Sequence, residues 1–290
     1  MELVRALGAL AEPPGPTHRR LAEALELPGV AQAAEHTDLF GFQLYPYASV
    51  YLGPEGMLGG EARDRVAGFW RALHLTPPAE PDHLAVLLAL YATLAEAEAS
   101  EEDAAQRLLR RASRKALLWE HLLSWLPGYL DKLNEIAPPF YRAWGRLVYQ
   151  VLLVEAASLG PPEASPLHFR EAPPLGSPMD EGSGPFVDSL LTPVRAGMIV
   201  VRSDLVRAAR ELGLGLRLGE RRFVLRALLS QDGPGTLEWL ASQARASAKL
   251  HRRLPRALAR TSAFWTERAD RSATSLSELA TEARAASSVA

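Results

Sequence analysis

Between Leu84 and Ala95 apolar side chains return at helical spacing, at Leu84, Leu87, Leu88, Tyr91, Leu94 and Ala95. That period demands a long helix with a buried face. It opens from a polar turn, Glu80-Pro81-Asp82-His83. Proline fits a helix entrance and aspartate is a favoured N-cap, so Asp82 reads as the cap and His83 as a first-turn residue with a polar tip.

The same 3.6-residue period governs the chain on both sides. Residues 2–11 and 16–27 read as two short helices divided by Pro13, Pro14 and Pro16. A helix over 61–74 turns Val66, Phe69, Trp70 and Leu73 inward. The next, over 101–126, is expected to bury Leu108, Leu109, Leu117, Leu118, Leu122 and Trp125, with residues 110–115 (RRASRK) facing water. Pro127 and Gly128 interrupt it, and Pro138-Pro139 start a further helix that ends near Gly160. Residues 45–60 lack a helical period and are rich in aromatics, glycine and proline, which describes an ordered loop. No alternating strand pattern competes, so residues 1–160 read as an all-α helical bundle. Seven prolines and four glycines fall within residues 160–187, and residues 161–187 are read as a linker or wrapping loop. A C-terminal helical segment follows over 188–247, including a helix capped by Ser203 and stopped at Gly213. Residues 248–290 form a basic, then Ser/Ala-rich tail, expected to be partly disordered because its end, residues 272–290, lacks bulky apolar residues.

Composition excludes several classes of chemistry. The 290-residue chain has no cysteine, so disulfides and thiolate sites are absent. Its seven histidines form no close pair with metal-ligand spacing, and no metal site is expected. There is no Walker loop and no Gly-x-Ser-x-Gly elbow, so no catalytic residue is assigned and no cofactor is expected. No apolar run reaches the roughly 18 residues a membrane span requires, and the first residues lack a secretory signal. The expectation is a cytoplasmic protein without stable membrane insertion. The net charge of −2 hides a division: residues 1–187 carry −9, residues 188–271 carry +8, and the remainder −1. An acidic front part favours basic ligands and steers them.

Four stretches, in order, then narrow the reading. They are Pro46-Tyr47-Ala48-Ser49-Val50-Tyr51-Leu52 with Leu58-Gly59; Glu80-Pro81-Asp82-His83; His121-Leu122-Leu123-Ser124-Trp125-Leu126-Pro127 with Tyr129-Leu130-Asp131; and Pro139-Phe140-Tyr141-Arg142-Ala143 with Gly145. Together they resemble the TorD/DmsD/NarJ family of redox-enzyme maturation chaperones. The second resembles the family's Glu-Pro-x-Asp-His signature, one residue shorter here. The close resemblance covers residues 30–155.

The resemblance implies an all-helical, non-catalytic fold of the TorD/DmsD type. It implies as partner a molybdopterin oxidoreductase catalytic subunit precursor, bound through its twin-arginine leader or in its apo form until the cofactor is loaded. Leader-binding residues carried over are Tyr45, Tyr47, Ser49, Tyr51, Glu80, Pro81, Asp82 and His83. Glu80 and Asp82 would accept hydrogen bonds from arginine, and the tyrosines would offer apolar and cation–π faces. His121, Trp125, Phe140 and Tyr141 are secondary family positions, better read as core residues. The rival reading is a nucleic-acid-binding regulator, in which residues 203–229 form a helix–turn–helix carrying Arg217, Arg221, Arg222 and Arg226. Nucleic acid is the weaker partner, because arginine-rich helices commonly just face water. A monomer, or a dimer swapped through the 161–187 hinge, would satisfy the sequence equally.

Overall fold

The computed structural model describes residues 1–217 and 219–289, so the 203–229 segment is described except at residue 218. Among the described residues there are α-helices and no strand. They divide into two compact units: Met1–Gly53, Leu58–Arg170 and Pro255–Leu258 form one; Pro54–Met57, Glu171–Leu254 and Ala259–Ala290 form the other.

In the first unit, α1 (Glu2–Ala9) and α2 (Pro16–Ala24) precede α3 (Ala33–His36), which runs on through a π-helical stretch, Thr37–Gln43. Then come α4 (Ala48–Leu52), α5 (Gly60–Ala72) and α6 (Leu84–Ser100). Helix α6 is apolar almost all round: Leu84, Leu87, Leu88, Leu90, Tyr91, Ala92, Leu94 and Ala95 are all buried. A helix of that kind belongs at the centre of its unit. Helix α1 packs on it closely, with Gly8 against Ala85 and Leu88. Helix α7 (Ala104–Ala116) is capped by Asp103, whose carboxylate accepts from Gln106 N–H at 2.8 Å. It passes into a π-helical stretch, Leu117–Leu122, and a turn before α8 (Leu126–Ile136). The break therefore falls ahead of Pro127, which sits in the first turn of α8, where its missing N–H costs nothing. Helix α9 (Pro139–Leu159) packs its Gly145 on Leu133 of α8 and donates from Trp144 Nε1 to Leu7 O of α1 at 2.9 Å.

One face of α7 is reversed from the expectation. Leu108 and Leu109 are 68% and 61% exposed, while Arg114 is buried. The reason is what lies beneath. Glu98 of α6 takes Arg111 at 3.2 Å and Arg114 at 3.1 Å, and the Arg114 guanidinium stands 5.8 Å over the Tyr91 ring. A helix whose neighbour presents carboxylate and aromatic groups gains more by turning arginines inward than leucines.

The second unit starts with short helices: α10 (Leu167–Glu171, shared with the end of the first unit), α11 (Pro178–Glu181), α12 (Ser183–Leu190) and α13 (Pro193–Ala196). The 161–187 segment is thus more than a linker, because Phe186 and Val187 enter the core with Leu190. Helix α14 (Arg202–Leu212) ends at Gly213 in the left-handed conformation, as the sequence suggests. Its start is held by Asp204, not Ser203: the Asp204 carboxylate accepts from Val201 N–H at 2.9 Å. Then follow α15 (Arg221–Gln231), α16 (Gly233–His251) and α17 (Ala259–Val289).

Helix α17 corrects the expectation of a partly disordered tail over 248–290. Its buried positions Trp265, Ala269, Ala273, Leu276 and Ala280 face Leu237, Ala241, Ala244, Ala248 and His251 of α16. Both sets step by three and four, the heptad pattern of a paired-helix seam. Arg252 pairs with Asp270 at 2.5 Å and Arg245 donates to Ser277 at 3.0 Å, so the helices run antiparallel. Alanine at most seam positions lets the two backbones approach closely around the few bulky residues, Trp265, Leu276 and Leu237.

Besides His83 at the entrance to α6, three histidines are buried without charge. His121 and His168, with ring centroids 5.8 Å apart in the first unit, are pushed down to about 3 and about 4 by burial. His251, in the second unit, is pushed down to about 4 by burial. As pH falls, the unfolded chain takes up these protons before the folded one does. Their contribution to stability is therefore complete above the ordinary histidine value and declines between about pH 6.5 and 4, on the order of 1 kcal/mol per pH unit for each histidine. Urea midpoints measured at pH 7.5 and 5.0 should fall on acidification. A midpoint independent of pH over this range would contradict the buried neutral state.

Candidate functional site

Two stretches far apart in sequence are tied together at the entrance to α6. Leu84 N–H donates to Pro46 O at 2.8 Å and Ala48 N–H to Asp82 O at 3.1 Å, making Tyr47 and His83 a single antiparallel bridge. The Asp82 carboxylate accepts from Ser49 N–H at 3.1 Å. Asp82 thus caps α4 rather than α6. The cap of α6 is His83, whose Nδ1 accepts from Ala85 N–H at 3.2 Å. Ser49 uses its hydroxyl to accept from Gly59 N–H at 3.3 Å.

The carried-over residues separate by exposure. Ser49, Tyr51, Pro81 and Asp82 are buried. Tyr51 stacks on Trp125 with centroids 5.0 Å apart and donates to Tyr45 O at 2.8 Å. These residues hold the loop in place, and the Asp82 carboxylate, 1% exposed, is already engaged inside. Tyr45 and Tyr47 are half-buried and Glu80 is exposed. The Tyr47 hydroxyl donates to Glu80 at 2.9 Å, and the Tyr47 ring meets the His83 ring edge-on at 4.8 Å. Burial, together with the neighbouring carboxylates of Glu80, Asp82 and Glu12, pushes the Tyr47 hydroxyl well above its ordinary value. Burial holds His83 below the usual histidine range, against the pull of Glu12, Glu80 and Asp82. His83 is therefore neutral, with Nδ1 as acceptor and the proton on Nε2.

Glu12 is the site residue that sequence reasoning missed. It follows α1, outside all four motif stretches, yet its Oε1 lies 3.5 Å from His83 Nδ1. Nothing local in AEPPG marks it; only the packing of α1 on α6 brings it there. The secondary positions His121, Trp125, Phe140 and Tyr141 are all buried. Trp125 Nε1 donates to His121 O at 2.8 Å, and Tyr141 packs edge-on with Phe40 at 5.1 Å. Of the four arginines that the nucleic-acid reading named, Arg221 donates to Val200 O at 2.7 Å, Arg222 pairs with Asp188 at 2.7 Å and Arg217 lies over Phe223. No group of three His, Asp or Glu able to hold a metal occurs among the described residues, and no described helix is long and apolar enough to cross a membrane.

Residues 8–131, which contain this whole arrangement, match the family described as nitrate reductase delta subunit. The segment is similar to the TorD/NarJ-type chaperone family. Two relatives bear the name Chaperone protein TorD. The one from Vibrio vulnificus is 34% identical over 116 residues, which is 36% of this chain and 52% of that protein. The one from Vibrio cholerae serotype O1 is 32% identical over 126 residues, 40% of this chain and 56% of that protein. The chain thus covers little more than half the length of each relative. The matched segment carries the bridge, the two caps and Glu12, and it ends within α8, before α9.

Proposed function

We propose that the protein is a redox-enzyme maturation chaperone that binds the leader peptide or apo form of a molybdopterin oxidoreductase in the cytoplasm, before cofactor loading and export. The observation that carries this reading is the TorD/NarJ-type match over residues 8–131. The half-open face made by Tyr45, Tyr47, Glu80 and His83 supports it. A basic, partly apolar peptide needs exposed acceptors beside aromatic surface, and these residues offer both. The −9 charge of residues 1–187 steers such a peptide toward the site. Ser49, Tyr51, Pro81 and Asp82 serve the same function indirectly, by fixing the loop that presents Tyr45 and Tyr47.

The test is affinity capture from the native cell with the tagged full chain, read by mass spectrometry. The expected result is recovery of a molybdopterin oxidoreductase precursor, followed by saturable calorimetric binding of its leader. Recovery of nucleic acid, or of partners without such a precursor, would overturn the reading.

A further inference from the structure

Within the second unit, the seam between α16 and α17 ends in a groove of about 400 Å³. Buried Phe186 and Val187 of α12 and Leu237 of α16 line it, with half-buried Leu229 of α15 and Leu279 of α17. Helix α17 also contributes Ala283 and Ala286, whose small side chains leave the space open. The volume falls within the range of cavities that hold small ligands, and the lining is of their kind, mostly apolar with a few polar groups. The groove lies wholly outside residues 8–131, so its use is independent of the chaperone reading.

The polar groups around it are placed unequally. Ser183, exposed in the first turn of α12, lines the groove, and its hydroxyl has no hydrogen-bond partner among the described residues. Beside it, Gly184 lies against Arg226 of α15: a Cβ on Gly184 would stand 3.1 Å from Arg226 Nη2. Arg226 pairs with no carboxylate among the described residues, whereas Arg222, one turn earlier, is held by Asp188 at 2.7 Å. The remaining charge in the lining is Glu282, exposed on α17. An anionic group is therefore repelled from the α17 side and drawn to the arginine beside α12.

We propose that this groove binds a single-chain amphiphile with an anionic head. The aliphatic chain lies along Phe186, Leu229, Leu237 and Leu279, and the head meets Arg226 and the Ser183 hydroxyl. Methylenes taken out of water supply most of the affinity. The guanidinium sets the orientation, because its planar fork serves a carboxylate or a phosphate bidentately. A fatty acid and a phosphate-headed lipid are thus two sources of the same chemistry. A cationic head gains nothing from Arg226, which repels it.

The experiment is calorimetric titration of the full chain with dodecanoate, dodecyl phosphate, dodecyltrimethylammonium and hexanoate, each below its micellar concentration. Dodecanoate should saturate one site per chain and bind about tenfold or more tightly than hexanoate, since hexanoate buries fewer methylenes. It should exceed dodecyltrimethylammonium by about tenfold as well, because only the anion pairs with Arg226. Arg226→Gln should cost dodecanoate about fivefold and remove its advantage over the cation. Ala286→Leu, which fills the groove from α17, should abolish saturable binding of every probe. Both substitutions are at exposed positions and should leave the urea midpoint unchanged. Tighter binding of dodecyl phosphate than of dodecanoate would support a lipid phosphate as the natural head, and the reverse order a fatty acid. Equal affinity for the anionic and cationic probes would overturn the proposal. So would full dodecanoate affinity in Ala286→Leu, or uptake of many molecules per chain without saturation.

Discussion

Gly197→Ala is expected to destabilise the second unit by about 3 kcal/mol or more, the range for strain combined with core overpacking. Gly197 ends α13 at φ +71°, a conformation that L side chains rarely adopt. A methyl group there would meet Ala269 N, and Arg268 C at 2.6 Å. These are backbone atoms of α17, so no side chain can swing away. The same residue gives its carbonyl to His251 Nε2 at 3.2 Å, and His251 packs on Trp265 with centroids 5.9 Å apart. Relief by moving α17 would therefore open the seam with α16. Urea denaturation followed by tryptophan fluorescence should show the loss. The nearby Ser262→Ala, which removes only a hydrogen bond to His251 O, should cost about 1 kcal/mol. Equal effects for the two would show that α17 does not press on Gly197.

Asp82→Ala should cost about 2–3 kcal/mol, as for a buried hydrogen bond to a charged group. It leaves Ser49 N–H without its acceptor inside the first unit, at the start of α4. The loop carrying Tyr45 and Tyr47 would loosen with it, and peptide affinity should fall as a consequence. Asp82→Asn keeps an oxygen acceptor and should recover about half of the stability. The two variants together separate a capping role from a ligand contact. If Asp82→Ala abolished peptide binding with no change in urea midpoint, the carboxylate would have to reach the peptide directly, against its burial.

Much of the helical plan was legible because it rests on local rules. The apolar period of α6, the proline boundaries at 13–16 and 138–139, and the left-handed glycine at 213 each express a constraint acting within a few residues. Caps were less legible. Asp82 and Ser203 both look like N-caps, yet His83 and Asp204 hold those helix starts and Asp82 caps a different helix. Any short polar side chain near a helix start can cap it, and which one does depends on where the other side chains are needed.

By itself the sequence determined the all-α class, the motif order shared with the TorD/NarJ-type segment, and the absence of thiol chemistry. Those follow from periodicity, spacing and residue counts, which no packing can alter. Tertiary structure alone decided three things. It turned Arg114 inward and Leu108 outward, because Glu98 and Tyr91 lie beneath α7. It ordered α17, because an alanine stripe is weakly apolar until a second stripe on α16 faces it. It also brought Glu12 beside His83, because neighbours across the fold depend on distances through space, which the order of residues along the chain does not encode.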